Sequence, residues 1–147
     1  MRFMIIVRAT AESERGGLPG EALLAAMAAY HRQLAEAGAL LDANGLKPSR
    51  EGWRVHYQAG QLARIVDGPF AETKELVAGY TLIQARSREE ALEWSRRFPA
   101  PFEGQPCEIE VRPLFELDDF APGAAIEAFR EIDARQAAAG GRAEHGT

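Results

Sequence analysis

The chain has 147 residues, of which 46% are hydrophobic and 27% charged, enough for one domain with a buried core. Its 17 Lys and Arg residues against 22 Asp and Glu residues give a net charge of −5, whereas proteins that bind nucleic-acid phosphates are usually basic. The first apolar run, residues 3–7, is far shorter than the roughly 20 residues that span a bilayer, and no signal-peptide cleavage site follows it. We therefore expect a cytoplasmic protein whose partners include neither nucleic acid nor a membrane.

The first strand is predicted over residues 2–8, and residues 9–17 follow as a polar loop. The apolar side chains of this strand alternate between its two faces and are Phe3, Met4, Ile5, Ile6 and Val7. A strand that is apolar on both faces requires cover on both. One layer of helices covers only one of them.

A helix is predicted over residues 21–37, because apolar side chains recur there at helical spacing and Gly38 suits the position just after its end. These apolar residues are Leu23, Met27, Tyr30 and Leu34. His31 lies about 40° around the helix from Met27, at roughly 100° per residue. We therefore expect the imidazole to point at the sheet rather than at water.

The middle of the chain predicts a β-hairpin. A short strand begins at residues 39–41, and residues 42–50 form a turn-rich connection. Residues 53–58 and 61–66 then alternate in polarity around a two-residue turn, which is the pattern of a hairpin.

The alternation within the hairpin also predicts which of its side chains are buried. On its first strand, Trp53, Val55 and Tyr57 alternate with polar residues, among them His56. We expect the apolar set to face the core and His56 to face solvent.

The second half of the chain repeats the order strand, helix, strand. Residues 67–75, DGPFAETKE, form a compact loop with one helical turn, and residues 77–85 form a strand. Ser87 and Glu90 have capping-box spacing at the start of a helix that runs to Phe98.

A last strand and a tail complete the chain. Cys107 alternates inward with Ile109 and Val111, so it is expected to be a small core side chain. Pro113 fits the end of that strand. Residues 122–135 then carry a weak amphipathic helix.

These elements predict an α+β fold, the ferredoxin-like split βαβ arrangement with an inserted hairpin. The apolar face that the helices leave uncovered favours a homodimer with its two sheets face to face. The predicted divisions are a domain over 1–118, a helix over 119–135 and an Ala/Gly-rich flexible tail over 136–147.

Four segments resemble a known family. They are DGPFAETKE at 67–75, Gly79-Tyr80, Ala91-Leu92-Glu93-Trp94 and Glu110-Val111-Arg112-Pro113. In these segments the chain resembles the YCII-related proteins of the DGPF type, over about residues 1–115. The resemblance implies a dimeric α+β barrel, an association with extracytoplasmic-function sigma factors and, from the broader superfamily, a His–Asp pair in a pocket.

His31 is the first candidate catalytic residue, because it stands where the superfamily places its helix histidine and imidazole is a natural general acid or base. Asp67 is a candidate partner, since Gly68 and Pro69 would fix its position, and Asp42 is a second. The structural alternatives are a core histidine paired with a backbone carbonyl for His31, and turn-forming carboxylates for the two aspartates.

The candidate ligand-binding residues are Gly68, Pro69, Phe70 and Tyr80. Tyr80 would donate a hydrogen bond into the pocket, or serve as a core tyrosine with a paired hydroxyl. Phe70 is expected to anchor its loop, and the charged residues that follow it form either a solvated face or a lid ion pair.

No metal or cofactor is predicted. The histidines His31, His56 and His145 lie on three distant elements, and their spacing matches no known ligand set. The lone cysteine, Cys107, excludes a cysteine-cluster site. Nucleotide-binding and serine-hydrolase motifs are absent from the sequence.

The sequence therefore supports three hypotheses. The first is a cofactor-free enzyme that uses His–Asp acid–base chemistry on a small molecule, in a pocket between the helix at 21–37 and the sheet. It predicts a carboxylate within about 3 Å of His31. The second is a non-catalytic ligand-binding or regulatory dimer, linked to a sigma-factor system, with a cavity that holds few titratable groups. The third is a docking role for the tail helix.

Overall fold

A computed structural model of the chain describes the backbone of residues 1–143 and the side chains of residues 1–140. The described chain is an α+β protein with antiparallel sheets and four α-helices. It forms two compact units, Met1–Leu114 and a second unit that begins at Phe115.

The first unit holds all the strands of the described chain and three of its helices. The strands are β1 (Arg2–Arg8), β2 (Leu40–Gly45), β3 (Trp53–Gln58), β4 (Gln61–Asp67), β5 (Val77–Gln84) and β6 (Ile109–Pro113). The helices are α1 (Ala11–Glu14), α2 (Glu21–Glu36) and α3 (Arg88–Arg96). The second unit contains α4 (Ala124–Ala143).

Four strands form one antiparallel sheet in the order β2-β5-β1-β6. Ile5 of β1 lies opposite Thr81 of β5 and Val111 of β6, so these three residues share the face that α2 and α3 cover. The buried apolar residues on and under this face are Phe3, Ile5, Tyr30, Leu34, Ala39, Ile83, Ala85, Ala91 and Trp94.

The other face of the same sheet, here called the outer sheet face, is also apolar at its centre. Met4 lies opposite Leu82, and Ile6 lies opposite Tyr80. All four side chains are half-buried. The prediction of a first strand with apolar residues on both faces is confirmed.

The hairpin is confirmed as a pair of strands, but the prediction of its buried side is wrong. β3 and β4 form a two-stranded sheet of their own, joined by Ala59 and Gly60, both at positive φ. Trp53 and Tyr57 are exposed whereas His56 is half-buried. Alternation identifies which side chains share a face, but not which of the two faces is turned to the protein.

Three local predictions also differ from the structure. The loop predicted over 9–17 contains α1, which begins with a capping box between Thr10 and Ser13. β2 continues through Gly45, so Asp42 lies within a strand rather than a turn. β6 begins only at Ile109, which leaves Cys107 outside the sheet and exposed.

The tail is more helical than predicted. α4 continues through residues 136–143, where a flexible tail is predicted, because alanine has the highest helix propensity. Residues 144–147 of the predicted tail, with His145, lie outside the described part of the chain. No helix within residues 1–143 is both long and apolar enough to cross a membrane.

Candidate functional site

Helix α2 carries His31 at the edge of its buried stripe. The helix begins after Gly20, which offers no side-chain cap, and it ends before Gly38, whose φ of 68° suits a helix terminus. Tyr30 and Leu34 are buried against the sheet. His31 is half-buried beside them, as its position next to the apolar stripe predicts.

Both ring nitrogens of His31 have hydrogen-bond partners. Nδ1 lies 2.7 Å from the backbone oxygen of Met27, and Nε2 lies 2.8 Å from Oγ1 of Thr81. Because a carbonyl oxygen only accepts hydrogen bonds, Nδ1 must carry the proton. In the neutral imidazole Nε2 is therefore the acceptor, and the Thr81 hydroxyl donates to it.

Thr81 is the site residue that sequence reasoning missed. It is 2% exposed, and its place on β5, opposite Ile5, directs it toward the helices. The signal that would have identified it is a hydroxyl side chain at an inward-facing position of β5, where the other inward-facing residues are not polar. Such a buried hydroxyl needs a partner, and His31 supplies it.

His31 and Thr81 line a large cleft, here called the α2 cleft, of about 1340 Å³. Its walls come from α2, β2, β5 and the segment around residues 101–105. Representative apolar lining residues are Leu23, Met27, Leu41, Leu46 and Phe98. A cleft that is mostly apolar, with a few polar groups, is typical of small-molecule sites.

A second polar group at the cleft, formed by Asp42, Asn44 and Tyr80, lies on the outer sheet face. The Tyr80 hydroxyl donates to Oδ2 of Asp42 at 2.8 Å. Nδ2 of Asn44 donates to Oδ1 of Asp42 at 3.0 Å and to the Tyr80 oxygen at 3.2 Å. All three residues line the α2 cleft, which therefore extends around the edge strand β2.

The structure does not bring the predicted His–Asp pair together. Tyr80 and Thr81 are successive residues of one strand, so their side chains point to opposite faces of the sheet. Asp42 is bonded to the first and His31 to the second. The group that orients His31 is the carbonyl of Met27, which is one of the alternatives that the sequence leaves open.

Asp67 and the three residues after it lie away from the cleft. Asp67 is exposed at the end of β4, opposite Trp53. Gly68 donates its backbone N–H to the Gly52 oxygen at 2.9 Å, and the Gly68–Pro69 peptide bond is cis. None of the described cleft-lining residues belongs to the segment 67–70.

The 67–70 segment is instead fastened to Ser49. A Cβ on Gly68 would lie 1.9 Å from the Ser49 backbone oxygen, so only glycine fits there. The Phe70 N–H donates to Oγ of Ser49 at 3.0 Å, and that hydroxyl donates to Glu14 at 2.5 Å. This set of contacts, here called the Ser49 clasp, joins α1, the β2–β3 connection and the 67–70 segment.

The Ser49 clasp is connected to the α2 cleft through the residues next to Ser49 in the sequence. Residues on both sides of Ser49 line the α2 cleft, among them Pro48 and Arg50. The Arg50 guanidinium in turn donates to the Glu14 backbone oxygen at 3.0 Å. The DGPF segment therefore contacts residues that adjoin a wall of the cleft and does not line the cleft itself.

Tyr30 packs beside His31 but has a structural role. Its ring meets the imidazole edge to face, with centroids 5.4 Å apart. Its hydroxyl donates to the Trp94 backbone oxygen at 2.9 Å. Burial raises the pKa of Tyr30 to about 12, against a smaller opposing effect of Arg97, so the phenol is neutral at physiological pH.

Within the part of the chain that the structure describes, no three His, Cys, Asp or Glu side chains are grouped as metal ligands. His31 and His56 lie on separate elements, α2 and β3. The polar groups of the α2 cleft thus include an imidazole with a hydroxyl at one end and a carboxylate with a phenol and an amide at the other, and charged side chains such as Glu12, Arg50 and Glu103 also line it.

The fold and the cleft define a small α+β protein with a site of small-molecule size, and comparison with known proteins identifies its family. The family of the YCII-related domain matches residues 1–115, so the chain belongs to the YCII-related family, as its DGPF segment predicts. It is also 36% identical over 96 residues to an uncharacterized protein of Rhizobium meliloti (strain 1021). That match covers 64% of this chain and 74% of the relative.

Proposed function

We propose that this protein performs cofactor-free acid–base chemistry on a small molecule in the α2 cleft, with His31 as the group that moves the proton. The observation that carries the proposal is the fixed tautomer of His31. The Met27 carbonyl holds Nδ1–H, so the basic Nε2 is directed at the cleft wall beside Thr81. An imidazole held in this way is arranged as a general base.

The two polar ends of the cleft suggest different tasks. At one end, Nε2 of His31 would accept a proton from the substrate after the Thr81 hydroxyl rotates away. At the other end, Asp42 with Tyr80 and Asn44 would hold a polar group of the substrate. In this proposal Asp42 binds rather than orients the base, and Asp67 with Gly68, Pro69 and Phe70 supports the fold.

A second candidate function is ligand binding without turnover, in a regulatory dimer that works with an extracytoplasmic-function sigma factor. One observation favours it. The partners of the His31 ring nitrogens are a neutral carbonyl and a neutral hydroxyl, where the triad-like arrangement for catalysis has a carboxylate. The link to a sigma factor rests on the family resemblance alone.

We also propose that the first unit is a ferredoxin-like domain that forms a homodimer, with the outer sheet faces of two copies together. The strand order β2-β5-β1-β6, with α2 and α3 as crossovers, supports the split βαβ arrangement. The half-buried apolar centre of the outer sheet face supports the pairing of sheets. A helical segment would follow this domain.

A ligand screen separates catalysis from binding. Mixtures of small organic acids and amides would be added to protein whose histidine rings are ¹⁵N-labelled, and both ring signals and product formation would be followed by NMR. Catalysis predicts a compound that shifts the His31 signals and is converted by the wild type. His31→Gln would still bind that compound but leave it unchanged.

The matched control is His56→Gln, on the hairpin outside the cleft, which should convert the compound at the wild-type rate. A compound that binds but is not converted by the wild type would favour the second candidate. If no compound in the screen shifts the His31 signals while some compound shifts those of His56 or is converted, the α2 cleft is not the functional site.

A further inference from the structure

Arg50 is an arginine of the α2 cleft whose positive charge has no carboxylate beside it. It is one of the lining residues, and its Nη1 donates to the backbone oxygen of Glu14 at 3.0 Å. Within residues 1–140, no carboxylate lies within 4.0 Å of its guanidinium. Because a guanidinium carries several N–H donors and no acceptor, most of these donors have no partner in the described chain.

The carboxylate of Glu14 could compensate Arg50, but Ser49 occupies it. Both of its oxygens accept from the Ser49 N–H, at 3.1 and 3.2 Å, and Oε2 also accepts from the Ser49 hydroxyl. Only the backbone oxygen of Glu14 bonds to Arg50. The Ser49 clasp therefore holds the residue before Arg50 and keeps the nearby carboxylate away from the guanidinium.

Gly16 lies against the same guanidinium. A Cβ at this position would lie 2.8 Å from Nη2 of Arg50, and its φ of 92° also favours glycine. The guanidinium is thus bonded to backbone through one nitrogen and packed on backbone through another. A side chain that is restrained before binding loses less conformational entropy when a ligand pairs with it.

The other charged side chains of the cleft limit the charge that a ligand can carry. Lys47 is paired with Glu51 at 3.1 Å, and Glu12 accepts from the Gln105 amide. Glu103 adds a further carboxylate to the lining. One guanidinium among these groups can neutralise a single negative charge, and direct contact with it outweighs repulsion from carboxylates that solvent and salt screen. A ligand with one negative charge is therefore favoured over a phosphate.

We infer that Arg50 binds the carboxylate of the substrate, so that the substrates are small carboxylic acids with an apolar body. The planar fork of a guanidinium matches a carboxylate and can donate two parallel hydrogen bonds to it. The apolar body would lie on lining side chains such as Leu46 and Phe102. This inference rests on the proposed function, because it names the class of compound on which His31 would act.

The test uses compounds that share an apolar body and differ in the head group. Phenylacetate, phenylacetamide and benzylphosphonate form one set, and hexanoate with hexanamide forms another. Each compound would be titrated into the full chain, and its Kd would be taken from the backbone amide NMR shifts of residues 46–51 and the ring signals of His31. The amide controls for the apolar body, and the phosphonate distinguishes a carboxylate site from a phosphate site.

We expect the wild type to bind at least one acid about tenfold more tightly than the matching amide, through charge-assisted hydrogen bonds. Arg50→Gln should remove this preference. Arg50→Lys keeps the charge without the fork and should retain part of it. Arg15→Gln is the matched control, because it changes the net charge equally at an exposed residue that does not line the cleft, and it should keep the wild-type preference.

Three results would overturn the inference. The first is no preference for acid over amide in the wild type, including no binding of either at up to about 20 mM. The second is a preference that persists in Arg50→Gln or falls equally in Arg15→Gln, because Arg50 would then not be its source. The third is tighter binding of benzylphosphonate than of phenylacetate, which would indicate a phosphate site.

Kinetics separate this inference from the proposed function. For an acid that the wild type converts, Arg50→Gln should raise KM about tenfold with little change in kcat, as expected for a group that binds the substrate. An acid that binds through Arg50 but is not converted would support the inference and count against acid–base catalysis. A neutral compound that the wild type and Arg50→Gln convert with equal kcat/KM would support catalysis and overturn the inference.

Discussion

The α2 cleft and the β3–β4 hairpin are built from similar alternating strands, yet they treat their polar side chains in opposite ways. On β5, the polar Thr81 is buried and paired with His31 on the helix side. On β3, the polar Arg54 lies against the Phe70 ring and His56 is half-buried, while the apolar side is exposed. The surface on which a strand packs decides which of its two faces is buried. The hairpin does not pair with the four-stranded sheet, so that sheet does not decide it for β3 and β4.

The largest expected effect contrasts a buried leucine with an exposed one. Leu34→Ala should lower the free energy of unfolding by about 3 kcal/mol, because Leu34 is fully buried between α2 and the sheet. Leu62→Ala on the hairpin should change it by less than about 0.5 kcal/mol in dilute protein. Urea unfolding of both variants measures this, and similar losses would show that the hairpin is packed in the monomer.

The next effect tests the Ser49 clasp. Gly68→Ala would place a Cβ against the Ser49 backbone oxygen, so we expect a loss of about 2 kcal/mol or more. Gly45→Ala is the matched control, because a Cβ there meets nothing within 4 Å and its φ is not positive. If thermal unfolding gave the same Tm for both variants, the clasp would not hold the 67–70 segment.

Tyr30 predicts a loss of stability at high pH. Its folded-state pKa is about 12 against 10.0 for the free side chain, so the folded protein holds this proton more tightly than the unfolded chain. The stabilisation that comes from this raised pKa is fully present below pH 10. As the pH rises toward 12 it is lost, which lowers the free energy of unfolding by up to about 2 kcal/mol. Denaturant unfolding from pH 8 to 11 should show this decline in the wild type.

Tyr30→Phe is the comparison for that decline. It lacks the hydrogen bond to Trp94, so it should be less stable by about 1 kcal/mol at neutral pH. Its stability should then fall less steeply than that of the wild type above pH 10. Parallel curves for the two proteins would mean that the decline comes from other groups.

The smallest expected effect concerns the buried hydroxyl at the cleft. Thr81→Val keeps the shape of the side chain but leaves Nε2 of His31 without its donor, which should destabilise the fold by about 1 kcal/mol. Thr81→Ser keeps the hydroxyl and should retain the His31 ring signals of the wild type. An unchanged ¹⁵N spectrum of His31 in Thr81→Val would contradict the contact.

The sequence predicts the parts of the fold that depend on local periodicity. The strand with Phe3 and Ile5, the helix with Tyr30 and Leu34, and the family all follow from spacing or motif. His31 beside the sheet follows in the same way. These features depend on residues that are close together along the chain, so they can be predicted from a single sequence.

The sequence does not predict contacts that need three-dimensional register. Thr81 becomes a partner of His31 only because β5 lies beside β1 under α2. Gly68 meets Ser49 because two loops converge. Asp42 joins Tyr80 because β2 extends past its predicted end. Each of these pairs is more than 15 residues apart in the sequence, where periodicity carries no information.

The central claim is that His31 is held with its proton on Nδ1 and its basic Nε2 at the α2 cleft. Long-range ¹H–¹⁵N NMR of the histidine rings, at a pH where His31 is neutral, tests it directly because the two nitrogens have different shifts. We predict a protonated Nδ1 that donates to the Met27 carbonyl and an unprotonated Nε2. The ¹⁵N chemical shift of Nε2 should change in Thr81→Val. A ring with its proton on Nε2 would contradict the proposed base and leave His31 as a packed side chain of the core.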